Sequence, residues 1–224
     1  CRDEAMAGRP TAAVVTNQHN IRLQFGRHVL EQALFDHQRR RLDRELLAQD
    51  GQYAVLSAAP FHLTGAIAKA AASVGTHYLD LTEDVATTRH VEELARGSRS
   101  AFIPQCGLAP GFISIVAHDL TKHFDTLDTV RMRVGALPQY PSNALNYNLT
   151  WSTDGLINEY IEPCEAIVEG KLITVPAMEE REEFSLDGVT YEAFNTSGGL
   201  GTLTETLAGK ARLVDYQSIR YPGH

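Results

Sequence analysis

Long hydrophobic runs, basic stretches and paired cysteines are what this chain has least of, and each lack excludes something. No apolar run approaches the roughly 20 residues that a membrane span needs. The first twenty residues carry no apolar core of a secretory signal. The net charge is −8, and the only basic run is Arg39-Arg40-Arg41, which reads as a solvated helix face. Neither nucleic acid nor a membrane is therefore an expected partner. Cys1, Cys106 and Cys164 are odd in number and far apart, which fits a reducing, cytoplasmic compartment and no zinc framework. The histidines are scattered without His-x-x-x-His spacing, so no metal site is expected. Gly-x-Gly-x-x-Gly occurs nowhere.

What is present is a strand–helix alternation. Gln52-Tyr-Ala-Val-Leu-Ser-Ala58 reads as a short strand, followed by an Ala-rich helix to Gly75. His77-Tyr-Leu-Asp-Leu-Thr82 repeats the strand, and a helix runs from about Asp84 to Gly97. Ala101 to Cys106 repeats it again and empties into Gly107-Leu-Ala-Pro-Gly111, before a third helix carrying Ile113, Val116, Ala117 and Leu120. Such alternation predicts neighbouring parallel strands, with ligands at their carboxyl ends.

Beyond residue 125 the period changes from helical to alternating. Val130, Met132 and Val134 alternate with Arg131 and Arg133, and Leu145, Tyr147, Leu149 and Trp151 alternate with polar residues. This predicts strands with one buried face, and turns at Glu169-Gly170 and Asp187-Gly188 predict two hairpins. A short helix fits Asp154 to Ile161. The expected fold is α/β: an incomplete Rossmann-like parallel sheet followed by an α+β domain with a largely antiparallel sheet. Residues 1–50 are unassigned and partly helical (Leu30, Leu34, Leu42 and Leu46 over 28–48), 51–125 form the second half of a dinucleotide-binding domain, and 126–224 form the α+β domain. The Cys1 start, in place of Met, suggests a fragment.

Five loops are candidates for chemistry. Ser57-Ala58-Ala59-Pro60 has only small side chains, open either to a flat ligand or to a packed helix. In Thr82-Glu83-Asp84 the second acid serves as a helix N-cap, which leaves Glu83 for a ligand. Cys106 is either a buried small residue or a thiol near a site. Gly107 to Gly111, with Pro110 in the first helical turn, is either an anion-holding helix start or an ordinary tight turn. Asn195-Thr-Ser-Gly-Gly-Leu-Gly201 is a nest for a carboxylate or phosphate, or a flexible turn.

Several stretches in order resemble the saccharopine dehydrogenase and lysine 6-dehydrogenase family. They are Val55 to Pro60, His77 to Asp84, Cys106 to Gly111, Leu149 to Tyr160, Tyr191 to Phe194 and Ile219 to Gly223. The resemblance implies an oxidoreductase using NAD or NADP at the C–N bond of an amino acid, working as a homodimer. It places Ser57, Ala58, Ala59 and Pro60 along the dinucleotide. Thr82, Cys106, Gly107, Pro110 and Gly111 fall near the nicotinamide, with Glu83 and Asp84 as candidate catalytic groups and His77 as a weaker one. Trp151, Ser152, Asp154, Thr196, Ser197, Gly198 and Gly199 would face the substrate. Two positions depart from the saccharopine forms: Ala109 stands for an acid, and Asp154 for a carboxylate-binding Arg. Loss of that guanidinium fork moves the expectation toward a lysine-type substrate. The family's first strand, glycine loop and ribose-binding acid have no match in residues 1–50, and its closing segment beyond Pro-Gly-His is absent. A non-catalytic remnant that folds or dimerises without cofactor is the alternative.

Overall fold

The structure, a computed structural model, describes the strand Ala12–Thr16 and residues 52–224; the helix expected over 28–48 lies outside the described residues. The chain divides into two units, with the boundary between Cys106 and Gly107.

The first unit holds a four-stranded parallel sheet in the order β1 (Ala12–Thr16), β2 (Ala54–Ala58), β3 (His77–Asp80), β4 (Phe102–Ile103). All three pairings are parallel, and for β2 with β3 and β3 with β4 this is what the strand–helix spacing predicts. β1 was not anticipated. It is five residues long and lacks both period and glycine, yet it pairs in register with β2 from Ala12↔Ala54 to Thr16↔Ala58.

Helix α1 (Phe61–Val74) starts after Pro60 and stops at Gly75, whose φ of 72° few other residues adopt at low cost. Thr64, Ala68 and Ala71 form its buried stripe, small enough for close packing beside Val55 and Tyr78. Helix α2 (Val85–Ala95) buries Thr88 and Val91.

The second unit contains a six-stranded sheet. Its path is β7 (Lys171–Val175), β6 (Cys164–Val168), β10 (Ala211–Arg220), β9 (Val189–Asn195), β8 (Glu182–Leu186), and β5 (Leu127–Val134) pairs with β10. All pairs are antiparallel except β5 with β10. Both hairpins turn where expected, with positive φ at Glu169, Gly170, Asp187 and Gly188. Helices α3 (Phe112–Thr121), α4 (Thr153–Ile161) and the short α5 (Leu203–Leu207) complete the unit.

Three expectations need correction. The boundary lies at 106/107 rather than near 125, because α3 puts Ala117 and Ile113 into the same core as Met132, Val214 and Leu203. Val130, Met132 and Val134 share a face covered by α3, as the alternation allows, but the stripe expected on that helix is only half right: Ile113 and Ala117 pack inward, while Val116 and Leu120 remain exposed. Residues 145–151 are not a strand. The Asn143 carboxamide accepts from the Leu145 and Tyr147 amides and donates to the Tyr147 carbonyl, which folds the segment into turns.

Candidate functional site

In the first unit the carboxyl ends of β2, β3 and β4 present the segments singled out from sequence. Ser57 is fully buried, and its hydroxyl lies 3.5 Å from the Ala59 amide as acceptor. Ala58 is exposed at the strand end. Asp84 caps α2, accepting from the Thr87 amide at 2.7 Å, so helix capping accounts for this carboxylate. The Thr82 hydroxyl accepts from the Asp84 amide at 3.3 Å.

Glu83 differs from its neighbour. Its Oε1 is buried with no hydrogen-bond donor among the described residues, and burial first, then the nearby Asp84 and Asp80 charges, raise its pKa. His77 stands at the start of β3, the opposite end of the strand from these loops, and its Nδ1 accepts from the Ala101 amide at 2.8 Å. Its weaker candidacy as a catalytic group fails on that position. Cys106 is exposed, against the buried small-residue reading, and partial burial of its thiol, with the Asp80 charge, raises its pKa. Among the described residues it has no acidifying neighbour of the kind a nucleophilic thiolate needs.

The residue that sequence reasoning missed is Asp80. It shares the buried parity of β3 with Tyr78, and both are completely buried. Its Oδ1 accepts from the Thr82 and Gln105 amides at 2.9 and 3.2 Å; its Oδ2 makes no full hydrogen bond among the described residues, although the carboxylate interacts with the Tyr78 phenol. Burial raises its pKa against the lowering effect of those amides. The signal was available: an acid at an inward position of an apolar strand demands a reason.

Asp80 and Glu83 both titrate above the ordinary carboxylate range, so they bind protons more tightly folded than unfolded. Their stabilising contribution is complete below the unfolded pKa of about 4 and is lost as pH rises through the folded values. The Asp80→Asn/Glu83→Gln variant should therefore gain in Tm relative to the parent as pH is raised from about 4 toward neutrality. Melting curves across that range check this; a constant difference would show that neither group titrates abnormally.

In the second unit the Gly107–Gly111 turn closes on itself. Phe112 and Ile113 amides donate to the Gly107 and Leu108 carbonyls at 2.9 and 3.0 Å, so these first-turn donors are spent rather than open to an anion. Pro110 is buried and precedes the helix, which begins at Phe112 after Gly111. The Trp151 indole donates to Tyr147 Oη at 3.0 Å. Ser152 is the N-cap of α4, accepting from the Gly155 amide at 3.1 Å, and Asp154 lies exposed in the first turn, where an acid suits the helix dipole. Thr196 and Ser197 are buried: Thr196 Oγ1 bonds Ser218 Oγ at 2.8 Å, and Ser197 Oγ donates to the Asn158 carbonyl at 3.4 Å. Gly198 and Gly199 belong to the same tight turn; Gly199 is buried against the Tyr216 ring.

The last residues of the chain close an aromatic cluster. The Arg220 guanidinium lies 4.5 Å from the Tyr147 ring centre, and its Nε donates to Tyr160 Oη, which also lies 2.9 Å from His224 Nε2. A groove of about 520 Å³ between α3 and β5 contains none of the predicted site residues. Among the described residues no cluster could hold a metal ion, and no helix is long and apolar enough to cross a membrane.

Comparison with known proteins gives one family and a shared fold. The model of the saccharopine dehydrogenase C-terminal domain matches residues 107–224, over half of the chain. A solved saccharopine dehydrogenase (L-Glu forming) from Saccharomyces cerevisiae superposes with a TM-score of 0.61 at 20% identity, which speaks to fold alone. The alignment covers 83% of this chain and 43% of that one, so the chain spans less than half of that enzyme's length. An oxidoreductase from Sinorhizobium meliloti aligns at 15% identity over 83% of this chain and 50% of its own, but its TM-score of 0.39 is too low to bear on the fold.

Proposed function

This chain belongs to the family of the saccharopine dehydrogenase C-terminal domain, and from that premise we propose that it is an oxidoreductase acting, with NAD or NADP, on the C–N bond of an amino acid. The observation that carries the reading is the row of loops at the carboxyl ends of β2, β3 and β4, where parallel sheets bind nucleotides. The fit to a dinucleotide is good at one end. Ser57 to Pro60 has no bulky side chain to bar a flat ligand, and Glu83 keeps a buried oxygen with no donor among the described residues. Bound there, the cofactor supplies the hydride chemistry.

The protein's own contribution is position and proton handling. Ser57 to Pro60 would lie along the dinucleotide, and Thr82 with Cys106 would shape the floor at the nicotinamide end. Glu83, whose raised pKa brings it toward neutrality, is the group suited to hold or accept a proton at Oε1. Trp151 and Asp154, both exposed, are the substrate-facing candidates with free surface. An exposed carboxylate at 154 favours an ammonium group over a second carboxylate, so lysine suits this site better than saccharopine. Solvent exposure limits that preference to about tenfold in kcat/KM.

A second reading has its own observation. Thr16 ends β1, and Asn17-Gln18-His19-Asn20 follows without the glycine turn that normally admits a pyrophosphate. A domain that folds without binding cofactor fits that sequence. Titration calorimetry with NAD and NADP separates the two, followed by steady-state kinetics on lysine and saccharopine. We expect weak binding, with Kd of about 0.1–1 mM, and faster turnover of lysine. No measurable binding and no turnover would support the second reading, and faster turnover of saccharopine would refute the role given to Asp154.

A further inference from the structure

One side chain ties the ends of β3 and β4 together. Asp80 Oδ1 receives the Thr82 amide from its own loop and the Gln105 amide from the loop after β4. The Asp80 carbonyl receives the Cys106 amide at 2.7 Å. Between these bonds Gln105 sits at φ 60°, a conformation that a residue with a side chain adopts seldom and needs support to keep. A carboxylate is an expensive choice for a completely buried strand position, where valine or isoleucine would pack better. Packing therefore does not explain Asp80, whereas the two amides that converge on one oxygen do.

We propose that Asp80 is a positioning residue that clamps the Thr82–Asp84 and Gln105–Cys106 segments into one fixed arrangement, so that the nicotinamide end of the site is preformed. The clamp rests on geometry; its purpose rests on the cofactor reading above. Asp80 acts through these loops rather than on the reacting atoms. Its neighbours Tyr78, Glu83 and Cys106 all feel its charge, so removal of charge and removal of the clamp must be told apart.

Cys106 allows this, because it lies exposed at the end of the clamped segment, with its Sγ 3.3 Å from the Ile103 carbonyl. The experiment is iodoacetamide labelling of the full chain carrying Cys1→Ser, in which the remaining thiol, Cys164, is buried. Asp80→Ala removes both charge and acceptor; Asp80→Asn removes the charge and keeps an acceptor oxygen. Loss of the clamp should raise the labelling rate of Cys106 in Asp80→Ala roughly tenfold over Asp80→Asn, which should stay within about twofold of the parent. If Asp80→Ala fails to fold by circular dichroism, Asp80→Ser, whose hydroxyl is too short to reach both amides, takes its place. Equal rates in the Asn and Ala variants would overturn the clamp. Protection of Cys106 by NAD is a separate arm: a clamp confirmed by labelling but unaffected by NAD would leave Asp80 as the loop-setting residue and count against the cofactor reading instead.

Discussion

Gly199→Ala should destabilise the chain by about 3 kcal/mol, the upper range for an overpacked core. A Cβ built at this position would fall inside the van der Waals contact distance of Cδ1, Cε1 and Cζ of Tyr216. The ring cannot retreat, because Tyr216 belongs to the core with Leu200, Leu203 and Val214. Interiors of this density transmit such an insertion rather than absorb it. The same substitution at Gly188 meets open space and should cost only about 1 kcal/mol, for its positive φ. Urea denaturation of the two variants gives the comparison, and Tyr216→Leu in the Gly199→Ala background should recover part of the loss by vacating the ring. A Gly199→Ala variant as stable as the Gly188→Ala one would show that the turn can shift away from the ring. The result bears on function: Gly199 was expected to face a substrate, and a steric role would explain the glycine without any ligand.

What could be read from the sequence followed the range of the interaction. The hairpin turns at Glu169-Gly170 and Asp187-Gly188, the helix stop at Gly75 and the capping by Asp84 depend on neighbours a few residues away, and all were legible. β1 was not, because Ala-Ala-Val-Val-Thr owes its strand to pairing with residues 42 positions on, from Ala12↔Ala54 to Thr16↔Ala58. The alternation at 145–151 misled for the converse reason: Asn143 offers the backbone local partners that defeat a strand.

The candidate loops are more legible in the sequence than the work of their side chains. Parallel topology alone directs attention to the strand ends, and the alternation of strands and helices marks the loops there. The work of each side chain was hidden, since it depends on what lies across the loop. Ser152 and Asp84 cap helices, Thr196 bonds Ser218, and Asp80, taken for part of an apolar strand, joins two loops. The stretches that carry the family resemblance converge likewise on structure: Tyr160, Phe194 and Arg220, from three of them, meet in one aromatic cluster.

Arg133→Met should cost about 3 kcal/mol, the scale of a desolvated ion pair that loses one partner. From sequence, Arg131 and Arg133 share the solvent side of β5. In the structure Arg133 is only 17% exposed, against 55% for Arg131. Its guanidinium bonds Asp215 and lies 2.6 Å from Glu182 Oε1, and it also donates to the Met132 carbonyl. Asp215 is 16% exposed, so without Arg133 it keeps a partly buried charge and one longer contact, 3.6 Å, to Arg131 Nε. Arg131→Met removes only the long contacts of an exposed guanidinium, at 3.6 and 3.9 Å, and should cost less than about 1 kcal/mol. The double variant Arg133→Met/Asp215→Leu removes both partly buried charges and should recover more than half of the loss. Urea midpoints of the three variants at one ionic strength decide the matter. Equal losses for Arg131→Met and Arg133→Met would mean that the sheet face around Asp215 is hydrated in solution and that the pair is a surface interaction after all.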